Sequence, residues 1–557
     1  MRVSSSPSSN AVIVNPVDSL IDLSPHDLET VQAILRRHVP DREVLAFGSR
    51  VTWTAKESSD LDLAILGDEP VPANVQAALK EDFDESDLPF KVDLVDWATI
   101  SESFRKIVER DKVVVQVGLK SLSTVGDGWS STTIGGLLAR DGGNVKTGPF
   151  GTTLKAKEYS KEGVPLISVG EVGHGSLRIH ESTPRVPRGV VERLPEYLLQ
   201  AGDIVFGRKG AVDRSAMVKP DQAGWFLGSD GIRLRLPNTC EARFVAYQLQ
   251  SAEARSWLLQ HASGTTMASL NQGTIERMPI VLPPLNEQRA IAHVLGSIDD
   301  KIEQNRRTVQ GLERLAKAIF HAWFVDFEPV KAKAAGAKFF PSMPQEAFDT
   351  LPSDFANSLL GPVPRGWEVR PLITVASFLN GLALQKYPPR GDATDLPVIK
   401  IAELRRGSTS GSDLANGGVP ETYIINDGDL LFSWSGTLEA ELWFGGRGAL
   451  NQHLFKVTSS HYPKWLCLLW IHQHLPWFRM VAASKAVTMG HIKRSHLQDA
   501  LVVIPPPAFI EAGNHAIGSL FDLYAATEIE SRSLMRMRDF LLPKLLSGAV
   551  SVMPSEQ

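Results

Sequence analysis

Several sequence features are scarce or missing in this chain of 557 residues. It has only two cysteines, Cys240 and Cys467, which form no metal-ligand pattern, so we expect reduced structural thiols in a cytoplasmic protein. No run of 18 apolar residues occurs and the first residues lack a long apolar segment, so we expect neither a membrane span nor a signal peptide. The length predicts three or four domains, and the 43% of hydrophobic residues is ordinary for globular proteins.

Motifs of several enzyme classes are also missing. No G-x-x-x-x-G-K-[ST] loop is present, so the chain is not predicted to hydrolyse ATP by a P-loop mechanism. Neither an N-P-P-[FYW] or D-P-P-Y string, of the kind that amino-methyltransferases use, nor a Rossmann-type glycine signature occurs. The sequence therefore does not predict these enzyme activities for this chain.

A strong excess of positive charge is absent as well. The net charge is −5 for the whole chain, and residues 1–120 alone carry 13 basic and 21 acidic residues. Residues 121–286 carry 18 basic and 15 acidic residues, and residues 363–510 carry 14 and 11. Composition thus argues weakly against a nucleic-acid binder that acts alone. The two mildly basic parts could still bind DNA if other subunits neutralise much of the phosphate backbone.

The longest regular pattern that is present lies between residues 287 and 324. Apolar residues alternate at spacings of four and three, as in the seam of a coiled coil, and Asn305 interrupts them. Pro283 and Pro284 end the preceding apolar run and allow a helix to begin. A helix of about 38 residues would be roughly 57 Å long, far longer than the globular average. It therefore needs a partner that covers its seam.

A second copy of the same unit supplies that partner. Pro283 in IVLPP matches Pro505 in VVIPP, 222 positions later, and the helical pattern recurs over residues 511–546. With small changes in length, GDIVF at Gly202 matches GDLLF at Gly428. Each unit is a mixed domain followed by a long helix, so the two helices can cover each other's apolar seams.

Polar interruptions in the two seams predict the helix register. If the helices are antiparallel, facing residue numbers have a constant sum, and a sum near 836 places Asn305 against Ser531. Two polar side chains then share a central layer and can satisfy each other, which a shift by one heptad would prevent. Such a rigid pair would fix the separation of the two repeated units. The same register predicts two apolar interface pairs, Ile302 with Leu534 and Leu312 with Tyr524.

The first part of the chain has the pattern of a small α/β domain. A helical segment, DLETVQAILRRHV, is followed by the strand-like runs EVLAF, LDLAIL and KVDLVDW. Asp60 and Asp62 are two positions apart and so share one face of a strand, and Asp93 lies on a neighbouring strand. Three carboxylates at one place can hold two divalent cations, beside which the turn at Gly48 and Ser49 can approach triphosphate oxygens.

The string GSRVTWTAKESSDLDLAIL, followed by KVDLVDW, resembles the minimal nucleotidyltransferase family. The resemblance implies that Gly48 and Ser49 bind the phosphates of a nucleoside triphosphate, and that the three aspartates hold Mg²⁺ and carry catalysis. Trp53 stands where relatives often have glycine and is expected to narrow the nucleotide pocket. The alternative is a retained fold without activity, in which the carboxylates are merely exposed at strand ends.

A second resemblance covers about 430 residues from Trp129 onward. KTGPFG, GVPLI, GDIVF, IVLPPLNEQRAI, FVDFEPVKAKAAG, PRGWEV, GDLLF and VVIPP, in that order, resemble the specificity subunit of type I restriction-modification systems. The resemblance implies that each unit begins with a target-recognition domain that reads one half of a split site in double-stranded DNA. It also implies an antiparallel helical spacer that docks two methyltransferase subunits, through which restriction and translocase subunits join.

Individual DNA contacts do not follow from the resemblance, because recognition domains differ greatly between relatives. Basic side chains in loops suit contacts with phosphate or guanine, although each could equally be a solvated surface charge. Thr265 and Thr266 could contact a phosphate or cap the following turn. The basic candidates are Lys146, Arg208, Lys209, Arg214, Lys386, Arg390, Arg405, Arg406, Lys493 and Arg494.

We therefore predict a multidomain chain of α/β and α+β class whose function is DNA-sequence specificity. Mg²⁺ and a nucleoside triphosphate are expected at the N-terminal domain, and no cofactor for DNA recognition. Two alternatives are a nucleotidyltransferase enzyme that the repeat unit directs to DNA, and an assembly scaffold that reads no bases. The predicted parts are a nucleotidyltransferase-like domain (1–120), a first recognition domain (121–286), a first spacer helix (287–328), a connector (329–362), a second recognition domain (363–510) and a second spacer helix (511–550).

Overall fold

The computed structural model divides into two compact units, Met1–Gly296 with Leu541–Gln557, and Ser297–Phe540. The expected mixture of α/β and α+β domains with long helices is confirmed. In the part of the chain that the structure describes, no helix is both long and apolar enough to cross a membrane. The described residues are 21–40, 42–51, 55, 59–67, 69–102, 104–105, 108, 112–116, 128–264, 267–341, 343–392, 394–484 and 490–552.

The N-terminal domain contains a four-stranded sheet with the order β3-β2-β1-β4. β1 is antiparallel to both β2 and β4, whereas β2 and β3 are parallel. The three strand-like runs of the sequence correspond to β1, β2 and β3, and the edge strand β4 was not predicted. The strands are β1 (Val44–Phe47), β2 (Leu61–Ile65), β3 (Val92–Asp96) and β4 (Lys112–Gln116).

Two helices, Pro25–His38 and Ala73–Asp84, pack with this sheet. The first begins where the Ser24 side chain accepts a hydrogen bond from the backbone amide of Asp27, which satisfies one free donor of the first turn. Val31 and Leu35, four residues apart on one helix face, are fully buried in the core of the domain. The core thus fixes the strands that carry the aspartates.

The first repeat domain is organised around a second four-stranded sheet, β10-β9-β12-β6, whose pairings are all antiparallel. The domain also has a three-stranded sheet with the order β11-β7-β8. Its first strand, β5, pairs with its last strand, β13. The strands are β5 (Ser130–Thr133), β6 (Asn144–Thr147), β7 (Val164–Ile167), β8 (Arg185–Val186), β9 (Ile204–Gly207), β10 (Ser215–Met217), β11 (Phe226–Leu227), β12 (Gly231–Arg235) and β13 (Pro279–Leu282).

The core of the first repeat domain extends onto both long helices. Ile291 and Leu295 are buried there together with Leu545, and Leu541 packs against the same cluster. The residue-number sum of Ile291 with Leu545 is 836, as for Leu295 with Leu541. These members of the cluster therefore agree with the register that the sequence predicts.

The second repeat domain repeats the architecture of the first. Its main sheet has the order β22-β21-β24-β17, its second sheet the order β19-β18-β23-β20, and β16 pairs with β25 at its ends. Buried aromatic and aliphatic side chains fill its core. The strands are β16 (Glu368–Pro371), β17 (Ser377–Asn380), β18 (Leu396–Ile399), β19 (Leu414–Ala415), β20 (Ile424–Ile425), β21 (Leu430–Ser433), β22 (Ala440–Leu442), β23 (Gly448–Leu450), β24 (Leu454–Thr458) and β25 (Leu501–Ile504).

Smaller helices complete the two repeat domains. In the first they are Ile134–Asp141, Arg188–Arg193, Ala242–Leu249, Ala252–His261 and Gln272–Arg277. In the second they are Leu372–Val375, Ile401–Arg406, Lys464–Ser484 and Arg494–Asp499. Gln272–Arg277 and Arg494–Asp499 directly precede β13 and β25, so they occupy equivalent places.

The first long helix spans Leu285–Phe320 and is followed by a π-helical turn, His321–Val325. The chain turns at Phe327, whose φ of 55° is the left-handed conformation. The connector is more ordered than its composition suggested. It holds two short helices, Glu328–Ala334 and Gln345–Thr350, and the hairpin of β14 (Phe355–Ser358) and β15 (Gly361–Pro364).

The second long helix is formed by Pro507–Gly513, a π-helical turn at Asn514–Gly518, and Ser519–Leu546. Within the unit Ser297–Phe540, Arg538 donates to Asp299 at 3.1 Å. Asn305, which comes later than Asp299, pairs with Glu530, which comes earlier than Arg538. The two helices are therefore antiparallel, and the residue-number sums of these pairs, 837 and 835, lie within one residue of the predicted register.

The hydrogen bonding in the central layer differs from our prediction. Asn305 and Ser531 are both buried, as expected, but they do not satisfy each other. The Asn305 amide donates to the Glu530 carboxylate at 2.8 Å, and the Ser531 hydroxyl donates to the Thr527 carbonyl one turn earlier in its own helix. A serine in a helix can bond to its own backbone, whereas the longer Glu530 side chain reaches across.

Candidate functional site

The aspartates of the N-terminal domain lie at the start of two parallel strands. In the β2–β3 register, Asp62 is directly opposite Asp93. Asp60 lies one residue before β2, two residues from Asp62. Residues in register on adjacent strands point to the same face, as do residues two apart in an extended chain. The sheet therefore places all three carboxylates on one side of this strand end.

The turn after β1 approaches the same carboxylates. Phe47 is paired with Asp62, so the next residue, Gly48, passes beside the Asp62 side chain. Gly48 has a φ of +82°, and a Cβ atom there would lie 2.4 Å from the Asp62 Oδ2 atom. Both the conformation and the close approach require glycine. Ser49, the second predicted phosphate-binding residue, is half-buried in the same turn.

The electrostatics of this site suit a divalent cation. Burial, and then repulsion by Asp93 and Asp60, raises the pKa of the Asp62 carboxyl above its usual range. A divalent ion bound by carboxylate oxygens would remove that repulsion, so the donor set fits such an ion. Among the residues that the structure describes, however, no three His, Cys, Asp or Glu side chains are close enough together to hold a metal.

Arg50 supports the site and was missed by the sequence analysis. Its buried guanidinium donates from Nε and Nη2 to the Ser59 carbonyl, at 3.0 and 2.7 Å, and from Nη1 to the Asp22 carbonyl at 3.0 Å. It also lies over the Phe90 ring, 4.0 Å from the centroid. Arg50 thereby holds the residue directly before Asp60. Its position next to the Gly-Ser turn was the available sequence signal.

Three residues discussed from the sequence lie outside the described residues. They are Trp53, which follows β1 in the sequence, and the pair Thr265 and Thr266.

Two of the basic candidates in the first repeat domain have acidic neighbours. Lys146 lies 4.0 Å from Glu196 and over the Tyr197 ring, 4.5 Å from its centroid. Lys209 lies 3.6 Å from Asp230. An acidic neighbour offsets part of the attraction of a cation for DNA phosphates. These two lysines are therefore weaker candidates than their charge alone suggests.

The two arginine candidates of the first repeat domain are placed differently. Arg208 donates to the Ser229 carbonyl at 3.1 Å and lies over the Phe150 ring, 5.2 Å from its centroid. Phe150 is 57% exposed, so this cation and ring form part of the surface. Arg214 is half-buried.

In the second repeat domain, too, some of the basic candidates have acidic neighbours and others do not. Arg405 is paired with Glu439 at 3.1 Å, and Arg406 with Glu403 at 2.9 Å. The Arg494 guanidinium donates to the Phe378 carbonyl at 3.0 Å and lines a surface cavity of about 580 Å³. The remaining three, Lys386, Arg390 and Lys493, are exposed.

The four residues predicted for the interface of the long helices differ in burial. Tyr524 is buried against Val309 and Phe444, and Leu312 packs against this cluster from its edge. Ile302 and Leu534 are half-buried. Phe444 of the second repeat domain thus helps to cover the seam at Val309 and Tyr524.

Comparisons with known proteins match two parts of the chain to two different families. The family described as "Type I restriction modification DNA specificity domain" matches residues 143–314, and "Polymerase beta, Nucleotidyltransferase" matches residues 29–117. The type I restriction enzyme MjaIX specificity subunit of Methanocaldococcus jannaschii is 23% identical over 427 residues, which cover 74% of this chain and 92% of that protein.

The N-terminal domain has a more similar relative of its own. A probable protein adenylyltransferase, MntA, of Haemophilus influenzae is 52% identical over 96 residues, which cover 17% of this chain and 84% of that protein. Among solved structures, the S subunit of a type I restriction-modification system from M. genitalium aligns with a TM-score of 0.46 and 16% identity, over 76% of this chain and 96% of that one. From these matches, the chain contains a region similar to the type I restriction-modification DNA specificity domain and carries a nucleotidyltransferase domain of the polymerase β type at its N-terminal end.

Proposed function

We propose that this chain selects a split site in double-stranded DNA, reading one half with each repeat domain, and that it docks two methyltransferase subunits and, through them, restriction and translocase subunits. The observation that carries the proposal is the duplicated architecture. The main sheets β10-β9-β12-β6 and β22-β21-β24-β17 have equivalent strand orders, yet their loops carry different side chains. Two copies of one framework with different surfaces suit two different half-sites.

The second long helix supports the docking of partner subunits. Within the unit Ser297–Phe540 it exposes several large apolar side chains that the first long helix does not cover. Exposed apolar residues that recur along one element are typical of protein interaction surfaces. They are Leu523, Ile529, Met535, Met537 and Phe540. We assign the chain to the cytoplasm, because we expect the DNA and the partner subunits that it is proposed to bind to be there.

Copurification and methylation mapping test this proposal. The chain would be purified with its co-expressed neighbours, and the bases that the complex methylates in a randomised DNA library would be mapped. We expect a single split motif with a fixed gap. Methylation without sequence preference, or recovery of the partners without any DNA selection, would instead favour the scaffold alternative.

We further propose that the N-terminal domain transfers an adenylyl group to a protein hydroxyl. The close approach of Gly48 to Asp62, opposite Asp93, carries this second function. The hydroxyl oxygen would form a bond to the α-phosphorus of ATP while the bond between the α- and β-phosphates breaks. Pyrophosphate leaves, and the hydroxyl proton passes to a carboxylate of the site. Asp60, Asp62 and Asp93 would hold Mg²⁺, which would neutralise phosphate charge.

Labelled ATP tests the second function. The purified complex and its DNA would be incubated with ATP labelled at the α-phosphate and Mg²⁺, and protein-bound label would be measured. Label on a protein of the complex supports adenylyl transfer, whereas label on nucleic acid would redirect the proposal to another acceptor. No label and no nucleotide binding would mean that the domain keeps the fold without the activity.

A further inference from the structure

Three backbone hydrogen bonds hold the segment that follows β9 in the first repeat domain, two of them at Arg208 itself. The Arg208 amide donates to the Asp230 carbonyl at 2.9 Å, and the Arg208 carbonyl accepts from the Leu270 amide at 2.8 Å. Two residues later, the Gly210 amide donates to the Ala268 carbonyl at 2.9 Å. Position 208 is therefore fixed between two other loops of the domain.

The residue after β21 is held in the same way in the second repeat domain. The Trp434 amide donates to the His453 carbonyl at 3.3 Å, and the Trp434 carbonyl accepts from the Ile492 amide at 2.9 Å. The Gly436 amide donates to the Gly490 carbonyl at 2.9 Å. Positions 208 and 434 are thus structurally equivalent, although one is arginine and the other tryptophan.

The side chains of Arg208 and Trp434 also donate hydrogen bonds to equivalent backbone carbonyls. The Arg208 Nη1 atom donates to the Ser229 carbonyl at 3.1 Å, and the Trp434 Nε1 atom donates to the Gln452 carbonyl at 3.0 Å. Ser229 and Gln452 each directly precede the residue that accepts the backbone hydrogen bond. The framework holds one donor of each side chain at an equivalent carbonyl, and the two side chains differ in their chemistry.

The neighbouring positions differ in the same manner. Lys209 lies 3.6 Å from Asp230, whereas the equivalent Ser435 hydroxyl lies 2.8 Å from the His453 imidazole. A charged pair in the first domain is therefore replaced by a hydroxyl and an imidazole in the second. The contrast extends over two adjacent positions of one surface.

The two side chains can recognise different base edges. A guanidinium has five N–H donors, so Arg208 keeps donors for O6 and N7 of guanine after its bond to Ser229. Trp434 has one N–H donor, and it already lies within hydrogen-bonding distance of the Asn380 side chain, at 2.8 Å, and of the Gln452 carbonyl. Its ring therefore offers only apolar contact, which suits the methyl group of thymine.

We propose that positions 208 and 434 are equivalent specificity-determining positions, at which Arg208 hydrogen-bonds a guanine in one half-site and Trp434 contacts the methyl group of a thymine in the other. The proposal rests on the proposed function of DNA selection and names the base-reading residues of each domain. Sequence alignment of the repeats supports the pairing, because GDIVFGRKG and GDLLFSWSG place Arg208 opposite Trp434.

The test uses the complex of the full chain with its methyltransferase subunits and a randomised DNA library. Arg208→Ala should lower the preference for guanine at one position of one half-site, by roughly tenfold or more, and leave the other half-site unchanged. Arg208→Lys keeps a positive charge without the planar fork and should lose the same preference. Trp434→Ala should lower the preference for thymine at one position of the other half-site. Uracil, which lacks the methyl group, should cause the same loss of binding preference at that position in the unchanged chain.

Arg188→Ala is the matched control, because this arginine side chain of the first repeat domain is 92% exposed. It should alter neither half-site. Circular dichroism of each variant would show whether the fold persists, and Trp434→Phe, which keeps the apolar ring, should retain the thymine preference if the fold is intact.

The possible results separate this inference from the function on which it rests. If the unchanged complex selects no sequence, the proposed function fails and the inference fails with it. If the complex selects a split site but Arg208→Ala and Trp434→Ala keep both base preferences, the inference alone is overturned. A uniform loss of methylation at all sequences with Arg208→Ala would show a phosphate contact and would also overturn base reading.

Discussion

The N-terminal domain and the repeat domains differ in how they place their proposed functional side chains. In the N-terminal domain the backbone brings the proposed site residues together, since Gly48 lies against Asp62, which is opposite Asp93 in strand register. In the repeat domains the strand order and loop hydrogen bonds recur, while Arg208 in one becomes Trp434 in the other. Catalysis requires particular groups at particular places, whereas recognition of different sequences requires one framework with exchangeable side chains.

The largest expected effect comes from removing fixed side chains in the N-terminal domain. Replacing Asp60 and Asp62 by alanine should abolish Mg²⁺-dependent ATP binding, because two of the three proposed metal ligands are lost. DNA selection should persist, since the repeat domains are folded around separate cores. Calorimetry with ATP and Mg²⁺ would measure the binding.

Asp84→Ala with Asp87→Ala is the control for that variant, because it removes the same charge from exposed positions of the same domain. If this control also abolishes ATP binding, the loss results from the change in overall charge. Asp60 and Asp62 would then not be specific ligands, and the proposed site in the N-terminal domain would be contradicted.

Exchanging a whole recognition domain should change the selected sequence without preventing selection. If residues 130–286 are replaced by the matching part of a relative, we expect one half of the methylated site to change and the other to remain. The physical reason is that each repeat domain has its own sheets and core. Mapping of methylated bases decides it, and a change in both halves would show that the domains do not read independently.

A half-buried glutamate in the second repeat domain, Glu441, gives a pH-dependent prediction. Burial, together with nearby Glu313, raises the pKa of Glu441 from 4.5 to about 7. A raised pKa means that the folded state favours the protonated form, so this stabilisation is present below pH 4.5 and is lost as the pH rises to about 7. Above that pH, Glu441→Gln should stabilise the fold by up to about 3 kcal/mol.

Thermal unfolding of the Glu441→Gln variant at pH 5 and pH 8 measures this difference. The variant should gain more over the unchanged chain at pH 8 than at pH 5. Glu421→Gln serves as the control, because Glu421 is 80% exposed and forms only a surface ion pair with Arg447. An equal gain at both pH values would contradict the raised pKa.

The smallest expected effect concerns the helix pair that joins the repeated units. Glu530→Ala should destabilise the unit Ser297–Phe540 more than its control does, since the buried Asn305 amide loses its acceptor. Urea unfolding measures the loss. Lys301→Ala removes only the exposed partner of Glu530 and should cost less than about 1 kcal/mol. Equal losses would show that the ion pair, and not the buried amide, stabilises this layer.

The sequence predicted features that depend on a repeated residue pattern, such as the helix register, but not individual side-chain contacts. The seam through Leu295 and Asn305, and its repetition after Pro505, predicted an antiparallel register that lies within one residue of the pairs observed. The partner of Asn305 could not be predicted, because the choice between Ser531 and Glu530 depends on side-chain reach.

The sequence by itself determined the repeat, the long helices and the spacing of the aspartates, because these depend on residue order and on the periods of helix and strand. Only the tertiary structure placed Gly48 against Asp62, Arg50 across the loop before Asp60, and Glu439 beside Arg405. Those contacts join residues from different strands and loops, so they depend on how the sheets fold together. For the same reason, only the folded loops show that Arg208 and Trp434 are held by equivalent carbonyls.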